Sequence, residues 1–239
     1  MKRALVTGGS GVIGSAICQA LAQSGHHVEI HAHQSLEKAT ALARAITASG
    51  GSASATAFDV TDAKGSLAAL ESLLERGPIQ ILVNNAGVHD DAIFPGMRAD
   101  QWSRVIEVTL SGFFNVTQAI LMPMLRTRWG RIVNVSSVAA LSGNRGQTNY
   151  AAAKAGLHGA TKSLALEVAS RGVTVNVVAP GIIASAMSEK SFPQDRINAL
   201  VPMKRAGTPE EVAHLVEFLV SEKADYISGQ IISINGGMY

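Results

Sequence analysis

A chain of 239 residues with 47% hydrophobic side chains has enough apolar material for one large core, which excludes disorder as its default state. Charged residues make up 16%, and the formal net charge is only +2 with no dense Lys/Arg run, which excludes nucleic acid as the expected ligand. The one cysteine, Cys18, excludes an internal disulfide, and no uncharged apolar stretch approaches the ~18 residues of a membrane span. A cytoplasmic protein is expected. The basic start at Lys2-Arg3 resembles a signal peptide, but its apolar run stops at Thr7, too early for a signal core. So little charge also suggests that some surface is covered by other subunits.

The first predicted strand, 4–7, runs into Thr7-Gly8-Gly9-Ser10-Gly11-Val12-Ile13-Gly14 and then a helix over 13–24. Glycine is needed where a backbone turns tightly against a pyrophosphate, and a following helix N-terminus offers N–H groups and partial positive charge. Placed between a first strand and a first helix, this loop points to a dinucleotide, with Gly8, Ser10, Gly11, Val12, Ile13 and Gly14 as contacts. No lysine follows the glycines, so a nucleoside-triphosphate loop does not fit.

The second strand, 28–32, ends without the acid that usually meets a ribose 2′-hydroxyl. Ala32 stands there, so a 2′-phosphate meets no repulsion, and His33, Gln34 and Ser35 can donate to it. This favours NADPH over NADH. Ordinary surface placement stays open for both His31 and His33. Glu29 falls inside the strand.

A helix over 36–49 leads to a strand over 54–58 and Asp59-Val60, then a helix over 63–75 and a strand over 79–84 ending in Asn84-Asn85-Ala86-Gly87. A long helix over 99–126 precedes a strand over 131–136, which ends at Ser136-Ser137. The helix over 148–170 carries Tyr150-Ala-Ala-Ala-Lys154, and the strand over 173–179 runs into Pro180-Gly181. Residues 185–205 break the rhythm with mixed charge and two prolines, and are expected to form a flap over a crevice. Thr208-Pro209-Glu210-Glu211 opens a helix over 209–221, and a strand over 230–234 closes the series.

Strands alternating with helices, each strand apolar throughout, predict an α/β doubly wound parallel sheet of about seven strands with helices on both faces. No linker or repeat interrupts residues 1–239, so one domain is expected.

Spacing of four puts Tyr150 and Lys154 on one helix face. An ammonium beside a phenol stabilises the phenolate and lowers the tyrosine pKa from ~10, giving an acid or base near neutral pH. Ser136, Ser137 and the Asn84–Gly87 segment end strands at the carboxyl edge, where ligands bind in such sheets. A serine hydroxyl there can hold a substrate carbonyl oxygen.

Taken together, the glycine loop, Asp59-Val60, Asn84-Asn85-Ala86-Gly87, Ser137, Tyr150-x-x-x-Lys154 and Pro180-Gly181 resemble the short-chain dehydrogenase/reductases, over essentially the whole chain. The segments 147–156, 173–181 and 235–239 resemble the 3-oxoacyl-[acyl-carrier-protein] reductases most. The resemblance implies a Rossmann-type fold and a set of roles. Tyr150 would protonate the carbonyl oxygen, and Ser137, thirteen positions before it, would orient that carbonyl. Lys154 would hold the nicotinamide ribose and depress the Tyr150 pKa. Asp59 and Val60 would contact the adenine, with Asn85, Ala86 and Gly87 along the ribose. Pro180, Gly181 and the backbone of Ile183 would lie by the carboxamide, and Ser185 near the phosphates. It also implies a homotetramer built on the two long helices and the last strand, and an acyl carrier protein partner met through Arg128 and Arg171.

Two departures stand out. The middle glycine sits one place early, at Gly11, with Val12 where the family has glycine. Thr109 stands where the family has an asparagine thought to hold a water behind the lysine, so an altered proton relay is expected.

Asp90 and Asp91 read as a solvated loop with no metal cluster around them, and His89, His158 and His214 as structural. Arg126, Arg128 and Arg131 flank Trp129 and read either as a solvated basic patch or as a surface that steers an acidic carrier. The expected function is NADPH-dependent reduction of a carrier-linked β-ketoacyl thioester in fatty acid or specialised lipid or polyene synthesis. The alternatives are a dehydrogenase of a small alcohol, sugar or steroid, and a non-catalytic NAD(P)-binding protein.

Overall fold

A computed structural model describes residues 1–185 and 192–239, and within them seven parallel strands form one sheet in the order β3-β2-β1-β4-β5-β6-β7. The strands are β1 (Arg3–Val6), β2 (His27–Ala32), β3 (Ser52–Ala57), β4 (Ile81–Asn84), β5 (Gly130–Val135), β6 (Val173–Pro180) and β7 (Ile231–Ile234). Side chains alternate across the pleat and divide the core in two. Ala4, Val6, Ile81, Val83, Val133 and Val135 face α1 (Val12–Gln23), α2 (Leu36–Ala48) and the helix at Pro209–Val220. Leu5, Leu82 and Ile132 face the other layer, α3 (Ala63–Leu74), α5 (Gly112–Arg126) and α7 (Thr148–Val168). Both faces are covered, so β1, β4, β5 and β6 are almost wholly buried, while the expectation of strands apolar throughout fails where β2 buries Glu29 and His31, β5 buries Arg131 and Asn134, and the edge strand β3 is the small, half-exposed run Ser52–Ala57.

The strand order reverses between β1 and β4. In such sheets the ligand crevice opens beyond the carboxyl ends of the strands at that reversal. The glycine loop follows β1 and Asn85-Ala86-Gly87 follows β4, so the two segments meet there by topology.

The predicted helix over 99–126 is interrupted. α4 (Ala99–Ile106) and α5 are joined by one π-helical turn, Glu107–Ser111. The run Ala99–Arg126 is long and apolar enough to cross a membrane by length and composition alone, but it packs against α3 and α7 as a core helix does. Two short helices escape the sequence reading: α6 (Ala139–Ser142) and α8 (Gln194–Leu200), each too short to show a period. Helix α8 belongs to the stretch expected to be an irregular flap, and Ile197 and Val201 bury it against the body. Residues 186–191 of that stretch lie outside the described residues. The helix at Pro209–Val220, α9, has the expected capping box: Thr208 Oγ1 accepts from the Glu211 amide at 3.2 Å and Glu211 accepts from the Thr208 amide at 2.8 Å.

Candidate active site

Gly8 has φ +62°, a conformation that favours glycine, and its carbonyl accepts from the Gly11 amide at 3.0 Å. The demand for glycine is strictest at Gly14, where a Cβ would lie 2.3 Å from the Gly8 carbonyl oxygen. Val12 needs no such freedom. It opens α1 with its side chain 51% exposed, so the shifted glycine spacing leaves the turn intact. Gly11, the N-cap, supplies no side chain to the first turn of α1, which leaves its amides available to an anion.

Asn85 braces this loop. Its Nδ2 donates to the carbonyls of Thr7 at 3.0 Å and Gly8 at 3.1 Å, while Thr7 Oγ1 accepts from the amides of Asn85 and Ala86. The side chain expected to support a ribose thus also braces the glycine loop. Asn84 lies below it in a buried polar row across the sheet: its Nδ2 donates to Thr117 and Asn134, and Asn134 donates to Thr161 at 2.7 Å.

Tyr150, Ser137 and Lys154 meet at the carboxyl edge. The Ser137 hydroxyl, which accepts from the Ala139 amide at 3.2 Å, lies close enough to the Tyr150 phenol to pull its pKa down, and Lys154 Nζ lies 5.8 Å from the Tyr150 ring centroid. Ser136 is turned away; its hydroxyl donates to the Lys154 carbonyl at 3.1 Å and pairs with His158 Nε2 at 2.8 Å. Spacing alone predicted a phenol held below its ordinary value by the lysine. Here burial, with Asp91 adding to it, raises Tyr150 above the ordinary phenol range, and the Ser137 hydroxyl pulls the other way. The Lys154 ammonium donates to the Val135 carbonyl at 2.7 Å, and burial lowers its own pKa to about 8. A Cβ on Gly87 would sit 3.1 Å from Nζ, so glycine there keeps the approach to the ammonium open.

The π turn buries Thr109. Its Oγ1 has no hydrogen-bond partner, one of three such buried side-chain atoms among the described residues. A helix period gives no warning of it, because one extra residue in the turn rotates Thr109 inward.

On the other side of the crevice, Asp59 Oδ1 accepts from the amide and hydroxyl of Thr61, which hold its carboxyl below the usual range. Asn115 Nδ2 donates to the Val60 carbonyl at 2.9 Å, tying that segment to α5. His33 Nε2 lies 3.5 Å from Asp59 Oδ2 at an exposed position. Pro180 ends β6, the Gly181 amide donates to the Ile234 carbonyl at 2.9 Å, and Ile183 bridges to Gly207. Ser185 closes the first described stretch.

These placements suit a dinucleotide. Glycines clear backbone at Gly8 and Gly14 and ammonium at Gly87, and an unpartnered hydroxyl waits at Thr109.

The features set aside in the sequence have structural partners. Asp90 accepts from Gln101 at 2.6 Å and Asp91 from Gln147 at 2.9 Å, and no group of metal ligands occurs among the described residues. Arg131 does not belong to a surface patch: it is 2% exposed, paired with Asp225, and stacked 4.2 Å from the Trp129 ring centroid. Arg128 and Arg171 are exposed just before β5 and β6, at the amino edge of the sheet. The surface placement left open for His31 does not hold: it is 2% exposed, its ring accepting from the Gly8 amide and facing the Phe58 carbonyl, and its strand position carried no signal of these partners.

Comparison with known proteins agrees with this geometry. Residues 2–196 match the family described as short chain dehydrogenase. The chain is 44% identical to a 3-oxoacyl-[acyl-carrier-protein] reductase of Aggregatibacter actinomycetemcomitans, over 98% of each chain. It is 44% identical to the 3-oxoacyl-[acyl-carrier-protein] reductase of Escherichia coli, over 100% of this chain and 97% of the other. It is 45% identical to nodulation protein G of Azospirillum brasilense, over 99% and 98%. The chain therefore belongs to the short-chain dehydrogenase family, as an oxidoreductase that works with a nicotinamide dinucleotide.

Proposed function

We propose that this chain reduces a β-ketoacyl thioester, carried on an acyl carrier protein, to the 3-hydroxyacyl thioester, with NADPH as reductant. The observation that carries the chemistry is the meeting of the Tyr150 phenol with the Ser137 hydroxyl, close to the buried Lys154 ammonium. The substrate class rests on the relatives named 3-oxoacyl-[acyl-carrier-protein] reductase at 43–44% identity.

A bound nicotinamide supplies the hydride. Ser137 holds the carbonyl oxygen, and Tyr150 gives its proton to that oxygen as negative charge develops there. A phenol raised by burial is fully protonated at neutral pH, as the acid must be. Lys154, its pKa lowered to about 8 by burial, lies near the Tyr150 ring and in this reading holds the nicotinamide ribose. In this reading the buried, unpartnered Thr109 hydroxyl takes the place of the family's asparagine and holds the relay water.

The preference for NADPH rests on Ala32 and His33: no acid ends β2, and His33 stands at its exposed rim to meet a 2′-phosphate. Arg128 and Arg171 form the acidic carrier's docking surface in this reading. β6 has eight residues, roughly 26 Å of strand, and these arginines lie at its far end from Tyr150. A carrier docked there serves a neighbouring subunit of the proposed homotetramer.

Initial rates on carrier-linked β-ketoacyl chains and on small free ketones, with NADPH and NADH at rising salt, test the proposal. Higher kcat/KM for the carrier-linked substrate with NADPH, falling as salt rises, supports it. Higher kcat/KM on free ketones overturns the substrate class, and NADPH binding without turnover on any ketone overturns the catalytic role.

A further inference from the structure

His31 ends no motif and has no part in the proton transfer, yet it is 2% exposed at the floor of the crevice. The Gly8 amide donates to its Nδ1 at 3.1 Å, and its Nε2 lies 2.9 Å from the Phe58 carbonyl oxygen. Its backbone carbonyl accepts from the Gly9 amide at 2.8 Å, and its ring lies 4.1 Å from the Phe58 ring, centroid to centroid. Only one form of the side chain satisfies both ring contacts: neutral imidazole with its hydrogen on Nε2, so that Nδ1 accepts and Nε2 donates.

The two backbones it joins are the two that flank a dinucleotide. Gly8 begins the phosphate loop, and Phe58 immediately precedes Asp59-Val60. The other hydrogen bonds of Gly8 among the described residues run through its carbonyl, to Gly11 and Asn85. Among the described residues His31 is the side chain that accepts from the Gly8 N–H, and with it supports the φ of +62° that turns the loop toward α1. An aliphatic residue of similar size fills the same space and leaves that N–H buried without an acceptor.

We propose that His31 is a positioning residue for the dinucleotide, a strut that sets the distance and tilt between the phosphate loop and the adenine-side segment. The proposal rests on the reading of the glycine loop as the dinucleotide site. It separates from a purely structural role because it acts on cofactor affinity and not on the rate of the chemical step.

The test uses the full-length enzyme and three substitutions. His31→Leu removes both ring contacts. His31→Gln reaches the Phe58 carbonyl and loses the acceptor near Nδ1. His31→Asn keeps an acceptor near Nδ1 and loses the donor. NADPH Kd by fluorescence titration and kcat at saturating NADPH are measured for each, with thermal melting to confirm folding. His31→Leu and His31→Gln are expected to raise Kd about tenfold, the scale of one lost buried hydrogen bond, with kcat retained and His31→Asn close to wild type. If His31→Leu does not fold, the Gln and Asn pair decides by the same contrast. Wild-type Kd in both His31→Leu and His31→Gln, or a loss confined to kcat, overturns the proposal. Failure of the wild-type enzyme to bind NADPH or NADH overturns the reading of the glycine loop itself.

Discussion

On the Tyr150 phenol, burial and the Asp91 charge oppose the Ser137 hydroxyl, and burial wins. An acid held protonated in this way is indispensable only if it delivers its proton. Tyr150→Phe is therefore expected to lower kcat by at least about 10²-fold while NADPH Kd stays near wild type, read by steady-state kinetics beside fluorescence titration. Thr109 offers a second test at the same scale. Asparagine in its place restores the side chain that the family carries, so Thr109→Asn should leave kcat equal or higher; a collapse of activity would count against the relay. His31 adds a pH signature. Burial holds its pKa at about 4 against an ordinary 6.5. Above 6.5 it is neutral in both folded and unfolded chains. As pH falls from 6.5 toward 4 the unfolded chain takes the proton first, so stability drops by on the order of 3 kcal/mol, and this contribution is gone below 4. His31→Asn should flatten that part of the stability curve, measured by urea unfolding between pH 7 and 4.5.

The element that joins β1 to α1 shows which glycines its geometry needs. A Cβ at Gly14 would overlap the Gly8 carbonyl at 2.3 Å, whereas Val12 already points outward at 51% exposure. Gly14→Ala should raise NADPH Kd at least about tenfold, equivalent to ~1.4 kcal/mol, and Val12→Gly should leave it nearly unchanged. The reverse order of effects would show that the loop is placed differently from this account. The π turn between α4 and α5 is the other element whose form decides function. It converts a residue that helical period would leave ambiguous, Thr109, into a buried one whose hydroxyl has no partner.

Across the whole molecule, sparse charge and exposed apolar side chains point the same way. Phe114 on α5 and Leu166 on α7 are 59% and 85% exposed, on the two helices proposed to meet in the homotetramer. A glutamate at both positions should place uncompensated charge in those contacts and yield smaller species by sedimentation velocity. A wild-type chain that sediments as a stable monomer at micromolar concentration would reject the assembly, and with it carrier docking across subunits.

Much of this fold was legible from residue order. Alternating strands and helices follow from local periodicity and turn chemistry, which need only near neighbours, and so do the glycine loop and the four-residue spacing of Tyr150 and Lys154. Tertiary structure decided the rest, because the deciding partners are distant in the chain. Ser137 rather than Ser136 meets the phenol because Ser136 finds His158 across α7. Asn85 turns onto Thr7 and Gly8 once β4 pairs with β1. Arg131 leaves the surface because Asp225 lies within reach of it. His31 gains its role only when β2 lies between the glycine loop and the end of β3, a juxtaposition that strand order creates and no local pattern encodes.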